Sequence, residues 1–473
     1  MSIRPTQQAT YAQVQRSLTA NFSLLVRSQE QISSGKRIVR ASDDPIGTSQ
    51  ALAFRRQISA AERHKTSVEG AQRMLDTASS LLQDAGGTLA ESRSILIQAM
   101  NGTQSDDDRR LLADSIELIR DRLLEIGNAR SGNRYLFAGT ATDTAPFAAT
   151  ASGTSSRVGY LGNDEEQQVL VGLDSRLTST LPGDEIFASQ QRTGVDFGRL
   201  TGLAAGSTAN QGTGFVYVTV RHDGTTASGL SGGVTLANSA QDTVVGNHTL
   251  VVDGAARTVT LDTGEPVAIP TNASTLRVID ERGAELNLDF SAWDGSSFTA
   301  SVDGTASVSL DGTNFTPVTL TEPDLQLRDP ASGSVLHVDT RALHRSGVEL
   351  VTFSGTVNVF DTLQGIVDDL RNIHDLSPRE QRERLDMWLV ELDRNHENIQ
   401  IATGELGSLS QRASGLSESY ADEQVQLKSL LSGVEDVDFT QAVTDMTRAE
   451  QTLQLAQSSS SRLLQNSLLN FLR

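Results

Sequence analysis

Near the start of the chain, apolar residues stand at Tyr11, Val14, Leu18, Phe22, Leu25 and Ile32, in alternating steps of three and four with one miss at Gln29. That spacing predicts an amphipathic helix with one face in need of a partner. The run SGKRIVRASDDPIGTS follows, Ser34 to Ser49, built of turn and cap residues. Gly35 permits a positive φ, Asp43 and Asp44 can satisfy free backbone N–H groups, and Pro45 suits the first position of a new helix. One helix therefore ends near Ser33 and another begins near Ile46. The second carries Val68, Ala71, Leu75, Ala78, Leu82, Ala85, Leu89, Ser92, Leu96 and Ala99, a sustained 3.5-residue period of the kind that packs as a coiled coil. Gly102 stops it. Ser105 then caps a third helix with Asp106, Asp107 and Asp108 in its first turn and Leu112, Ile116, Ile119, Leu123 and Ile126 along one face. The short connection makes helices two and three antiparallel neighbours.

From Tyr135 the period shortens to two, and the composition shifts to Thr, Gly, Ser and Val for about two hundred residues. Asp-Gly pairs at Asp223-Gly224, Asp253-Gly254, Asp303-Gly304 and Asp311-Gly312, with Asp294-Gly295 as a fifth, stand between strand-like runs such as VYVTV, TLVV, TVTL and SVSL. They predict type I′ hairpins. The Gly/Ala/Thr-rich run from Leu203 to Gly214 reads as a linker between a smaller and a larger β unit.

Near Val357 the helical period returns in Val359, Leu363, Ile366, Leu370 and Ile373. Ser377, Pro378 and Glu380 then form a cap, a first-turn proline and a capping-box acid. The long helix they open carries Leu385, Leu389, Leu392, Ile399, Ala402, Leu406, Leu409, Ala413, Leu416, Tyr420, Leu427 and Leu430. Asp438 caps a last helix with Phe439, Val443, Met446, Leu453, Ala456, Leu464 and Leu468 on one face. The pattern as a whole predicts an α+β protein: a discontinuous N- and C-terminal coiled-coil helical bundle with an inserted, mainly antiparallel β region. Its expected parts are an N-terminal assembly helix and hinge (1–45), two bundle segments (46–137 and 346–432), a small β unit (138–203), a larger β insertion (204–345) and a C-terminal assembly helix (433–473).

The two end helices each carry one apolar stripe and are each set off by a turn. Their stripes are therefore expected to serve neighbouring subunits: Val14, Leu18, Phe22, Leu25 and Ile32 at one end, and Phe439, Val443, Met446, Leu453, Leu464 and Leu468 at the other.

A net charge of −20 without a local basic cluster argues against nucleic-acid partners and anionic membrane surfaces. No run of 18 or more apolar residues predicts membrane insertion, and the N-terminus lacks the apolar core of a secretory signal. With no cysteine, thiolate chemistry and disulfides are excluded. The seven histidines show no HExxH or related spacing. His337 and His344 are the nearest pair and lack an acidic partner at ligand spacing. Ser417, in GLSES, lacks the second glycine of a nucleophile elbow and sits within a heptad helix. The acidic groups Asp43/Asp44, Glu165/Glu166 and Asp106–Asp108 fall where caps and turns need them. No catalytic residue, no metal site and no cofactor is expected.

Four runs carry a resemblance. SGKRIVRASDDPIGTS at Ser34–Ser49, NGTQSDDDR at Asn101–Arg109, GNRYLFAGT followed by APF within Gly132–Phe147, and GVEDVDFTQAV at Gly433–Val443 are similar to segments of the flagellin superfamily, and to its hook–filament junction members more than to flagellin itself. The resemblance covers about 1–150 and 350–473. It implies an extracellular adaptor polymer of the bacterial flagellum, exported by the flagellar type III route without a cleaved signal peptide. The partners it implies are further copies of this chain in a ring or helical homo-oligomer, hook-associated protein 1 on the hook side, flagellin on the filament side, and an export chaperone at the C-terminal helix. Two other readings stand beside it: flagellin proper, and a surface-exposed binding protein acting through the β insert.

Overall fold

The computed structural model describes residues 7–102, 104–152, 155–172, 174–188, 194–237, 239–272, 274–329 and 333–471. Among these, the helices are α1 (Gln7–Ser34), α2 (Pro45–Ala99), α3 (Asp106–Gly127), the short α4 (Gly183–Phe187), α5 (Val359–Leu370), α6 (Pro378–Glu435) and α7 (Phe439–Phe471), and the strands fall between α3 and α5. The architecture is the expected one, helical ends around an antiparallel β-rich middle. The caps read from sequence are in place. Asp44 Oδ1 accepts from Gly47 N at 2.9 Å, Ser105 and Asp108 form a reciprocal capping box, Ser377 and Glu380 form another, and Asp438 Oδ1 accepts from Gln441 N at 3.0 Å.

The chain divides into two compact units, one of Met1–Gln72, Val169–Leu177 and Gln411–Arg473, the other of Arg73–Gln168 and Thr178–Ser410. In the second unit, α2 and α6 run antiparallel: Arg93 Nε donates to Asp393 Oδ1 at 2.7 Å and Ser410 Oγ to Asp76 Oδ1 at 2.6 Å. Arg122 on α3 reaches Asp84 on α2 at 2.8 Å, consistent with the antiparallel pair that the short connection demands. The α2 positions from Leu75 to Ala99 that keep the 3.5-residue period are all fully buried. Helix α5 is buried on every side and packs on α3. It meets α6 at Gly365, where an added Cβ would lie 2.2 Å from Trp388 Cζ2. Beyond α5, Ile373 turns out to solvent, as does Leu430 near the end of α6.

The β region is built on an eight-stranded antiparallel sheet whose two longest members, Phe215–Ser228 and Phe298–Ser309, lie side by side. Two hydrophobic clusters flank this pair, one around Val216, Val218, Val308 and Phe353, the other around Leu250, Val259, Leu286 and Val302. Three sequence expectations change here. Asp223-Gly224 and Asp303-Gly304 lie inside the long strands. Gly304 is required because the backbone carbonyl of Val244 crosses where its Cβ would stand, 2.1 Å away, a close-approach role of strand glycines. The Asp253-Gly254 pair opens a four-residue loop, since Asp253 pairs with Thr258. Of the five pairs, Gly295 and Gly312 lie in loops at positive φ. The run from Leu203 to Gly214 is no free linker: Leu203 is buried, Ala204 and Ala205 pair with Asp339 and Val338, and Gln211 bridges to Val335. Upstream of it, Asp196–Phe197 joins the large sheet by pairing with Thr352 and Val351.

The passage from helix to sheet is an aromatic cluster. Phe137, Phe147, Phe187 and Phe360 interlock at centroid separations of 5.0–5.7 Å. Phe137 and Phe147 come from the GNRYLFAGT…APF run, so that stretch supplies half of this cluster.

Candidate assembly surface at the paired termini

In the first unit, α1 packs along α7, with Cα atoms within 8 Å. A row of buried or half-buried positions runs along α1 at Val14, Leu18, Asn21, Leu25, Ser28 and Ile32, with Glu30 and Gln31 half-buried beside it, and another along α7 at Ala442, Met446, Ala449, Leu453, Ala456 and Ser460. Both sets step four, three, four, three, four, the spacing of a two-helix seam. The seam is poor in large apolar groups. Asn21 and Ser28 put polar atoms in it, and four of the six α7 positions are Ala or Ser. Small side chains let the helices approach, but they bury little apolar area, and burial scales with area at roughly 25 cal/mol per Å².

Of the residues expected to form an assembly surface, Val14, Leu18, Leu25, Ile32, Met446 and Leu453 lie half-buried along this seam. Phe22 stands outside it, 58% exposed, as do Phe439 at 60% and Val443. The side chains of Leu464 and Leu468 lie outside those described. Leu24, Val26 and Leu455, the last 68% exposed, add apolar surface. They escape a search for three-four spacing because they fall off the stripe, and only the structure shows that nothing in the chain covers them among the described residues.

The turns that set these two helices off are fastened to each other. Arg37 N donates to Glu435 O at 2.7 Å, Val437 N to Gly35 O at 3.0 Å, and Arg37 Nη2 to Val434 O at 2.7 Å. Gly35 makes the turn possible at φ +69°. The Glu435 carboxylate is nearly buried and holds two cations, Lys36 Nζ at 2.7 Å and Arg55 Nη2 at 2.5 Å. Burial alone would raise its pKa, but the bonds from Lys36 and Arg55 outweigh it and the net shift is downward. Asp44 is held low chiefly by the Gly47 N–H, with Arg37 at 3.2 Å adding to it. Arg27 and Arg40 reach Asp43 and Glu30 at 3.4 and 2.9 Å. The SGKRI…DDP and GVEDVD runs are therefore two halves of one structural joint. A depression of about 330 Å³ opens beside it, lined by Ile38, Val39, Ala51, Leu52 and Arg55 among others.

This surface offers charge pairing and exposed apolar groups. Among the chemical candidates weighed from sequence, the His337 and His344 pair resolves differently: His337 faces Asp324 at 3.7 Å. No described helix is long and apolar enough to cross a membrane.

The model of the bacterial flagellin N-terminal helical region matches residues 6–142, and that of the bacterial flagellin C-terminal helical region matches 389–472. Flagellar hook-associated protein 3 of Escherichia coli is 33% identical over 188 residues, 40% of this chain and 57% of that protein. Its counterpart in Salmonella typhimurium is 32% identical over 190 residues, again 40% and 57%. The chain thus spans little more than half the length of these curated relatives. A crystal structure of flagellar hook-associated protein 3 from Legionella pneumophila aligns with 81% of this chain and 98% of its own at 16% identity and a TM-score of 0.44.

Proposed function

Because its two ends match the bacterial flagellin N- and C-terminal helical regions, we propose that this chain is a structural subunit of the bacterial flagellum, polymerising between hook and filament and joining them. The observation that carries the reading is the terminal joint: the two family-matched ends form one paired unit whose seam is thin and whose larger apolar groups, Phe22, Phe439 and Leu455, face outward. Such a pair leaves surface for further copies of the same chain, in a ring or helical homo-oligomer. The proposed neighbours are hook-associated protein 1 toward the hook and flagellin toward the filament, with an export chaperone on α7 beforehand. The β insert is proposed to face outward, and no catalytic role is assigned.

Flagellin proper is the competing reading, since the same two family models cover flagellin ends. Immunogold labelling of intact flagella separates them. Label confined to the base of the filament is the expected result. Label along its whole length would make the chain a filament subunit and overturn the junction role.

A further inference from the structure

We propose that His248, Asp262 and Asp280 form a binding site for a divalent transition-metal ion of the zinc type. The three are far apart in sequence and match no spacing motif, but their ligand atoms all lie within 4.8 Å of one another. His248 comes from strand Gly246–Asp253, Asp262 from the turn after strand Thr258–Leu261, and Asp280 from the end of strand Thr275–Ile279. The first two strands belong to the large sheet and the third to a three-stranded one, so a bound ion would clamp two sheets of the insert together.

The hydrogen bonding around His248 points to a cation. Its side chain is nearly buried. Nε2 faces two backbone carbonyls, Val245 O at 3.1 Å and His344 O at 3.2 Å, so that nitrogen carries the hydrogen. Nδ1 then presents a lone pair, yet it stands 2.6 Å from a carboxylate oxygen, Asp262 Oδ2. The contact needs a positive charge, which either a second ring proton or a metal ion bound to both atoms supplies. Metal-bound histidines commonly donate their other N–H to a backbone carbonyl in this way. The carboxylates are also oriented for the role. Asp262 Oδ1 accepts from Thr249 N at 2.7 Å, and Asp280 Oδ1 accepts from Arg282 N and Ala284 N at 2.9 and 2.6 Å, which leaves Oδ2 of each for the ion. One imidazole with two carboxylates suits zinc, water completing the shell, and an imidazole nitrogen disfavours calcium or magnesium. Asp262 is exposed, which gives the ion its way in.

The test is calorimetric titration of the metal-stripped full chain with zinc chloride and, separately, calcium chloride. One saturable zinc equivalent per chain is expected, with no matching calcium isotherm and a rise in melting temperature, because a ligand bound only by the folded state stabilises it. His248→Ala and Asp262→Asn should each weaken zinc binding by at least about tenfold, while His337→Ala leaves it unchanged. Should His248→Ala fail to fold, Asp262→Asn, which keeps the shape of the site, together with the visible spectrum of cobalt bound to the unaltered protein, decides the question. Zinc that neither binds saturably nor shifts the melting temperature would show that a proton alone bridges His248 and Asp262, and the site would be refuted. Binding that survives Asp262→Asn, or is lost equally in His337→Ala, would refute it as well.

Discussion

At the scale of single residues, the contact between α5 and α6 depends on groups that no pattern search selects. Trp388 is fully buried, its ring lies against Gly365, and its Nε1 donates to Asp369 Oδ2 at 2.6 Å. Gly365→Ala should lower the melting temperature by the equivalent of about 1–3 kcal/mol, the usual cost of overpacking a filled core, and Trp388→Phe in the same chain should restore part of the loss. Thermal denaturation of the two variants checks this. The same Asp369 faces Arg384, whose Nη2 lies 2.9 Å from Oδ1 without hydrogen-bond alignment, so charge more than a directed bond holds the pair. Burial pushes the Asp369 carboxyl up to about 6, against the pull of Arg384 and Trp388. Burial, helped by Arg384, pushes nearby His374 down to about 4. The signs are opposite. Folded Asp369 holds its proton more tightly than the unfolded chain, so its contribution to stability is full below about 4 and is lost as pH rises to about 6. Folded His374 holds its proton less tightly, so its contribution is full above about 6.5 and is lost as pH falls to about 4. The two slopes offset each other in the intact protein. Replacing His374 by Phe, which keeps a ring against Tyr217, should make stability fall more steeply than in the unaltered chain as pH rises from about 4 to about 6. An unchanged melting-temperature profile would show that His374 does not titrate with folding.

At the scale of elements, the helices were legible because their period is long and their caps are local. Leu75, Leu82, Leu89 and Leu96 are buried as their spacing requires, and Ser105 and Asp108 close the box their identities suggest. The strands were legible as strands, but their connections were not. An Asp-Gly pair signals a turn only if nothing crosses it, and at Gly304 it is the Val244 backbone, sixty residues away in sequence, that fixes the residue. The assembly surface was half legible for the same reason. Periodicity located the seam positions, whereas exposure of Phe22, Leu24 and Leu455 depends on where α1 and α7 meet. A division of labour follows. Phe22→Ser with Phe439→Ser should leave the monomer's melting within about 0.5 kcal/mol equivalent, since exposed positions contribute little to the fold, and should abolish polymerisation measured by sedimentation. By contrast, Glu435→Ala strips two cations of their partner and unfastens the turns. It should speed limited proteolysis between α1 and α2 and between α6 and α7 while the cleavage pattern of the β region stays as before.

At the scale of the whole molecule, the β insert is not one removable block. Phe215 and Tyr217, on its first long strand, pack on Trp388 and beneath Arg384, and Arg384 also donates to Val348 O. Excision of 206–345 would take the aromatic pair away and leave a buried arginine and tryptophan uncovered, so that variant should aggregate. A cut from Gly229 to Ala300 is different. Ser228 and Ser301 are paired across the two long strands, and an Asn-Gly turn can join them there. That shortened chain should keep the cluster around Val216 and Val308, melt cooperatively, and still reach the flagellum; loss of cooperative melting would show that the two β cores stand or fall together. The terminal joint has one more consequence, and it concerns time. The bond from Arg37 to Val434 spans 397 positions, so it closes a loop that encloses nearly all of the polypeptide. Loop entropy grows only slowly with length, by about 0.6 kcal/mol per doubling, so the closure is affordable, but it cannot begin until Glu435 exists. On a chain made or threaded from its N-terminus, the helix hairpins and sheets form while Lys36 waits, and the latch shuts last. An incomplete chain is thereby an unlatched one, with its first helix unpaired.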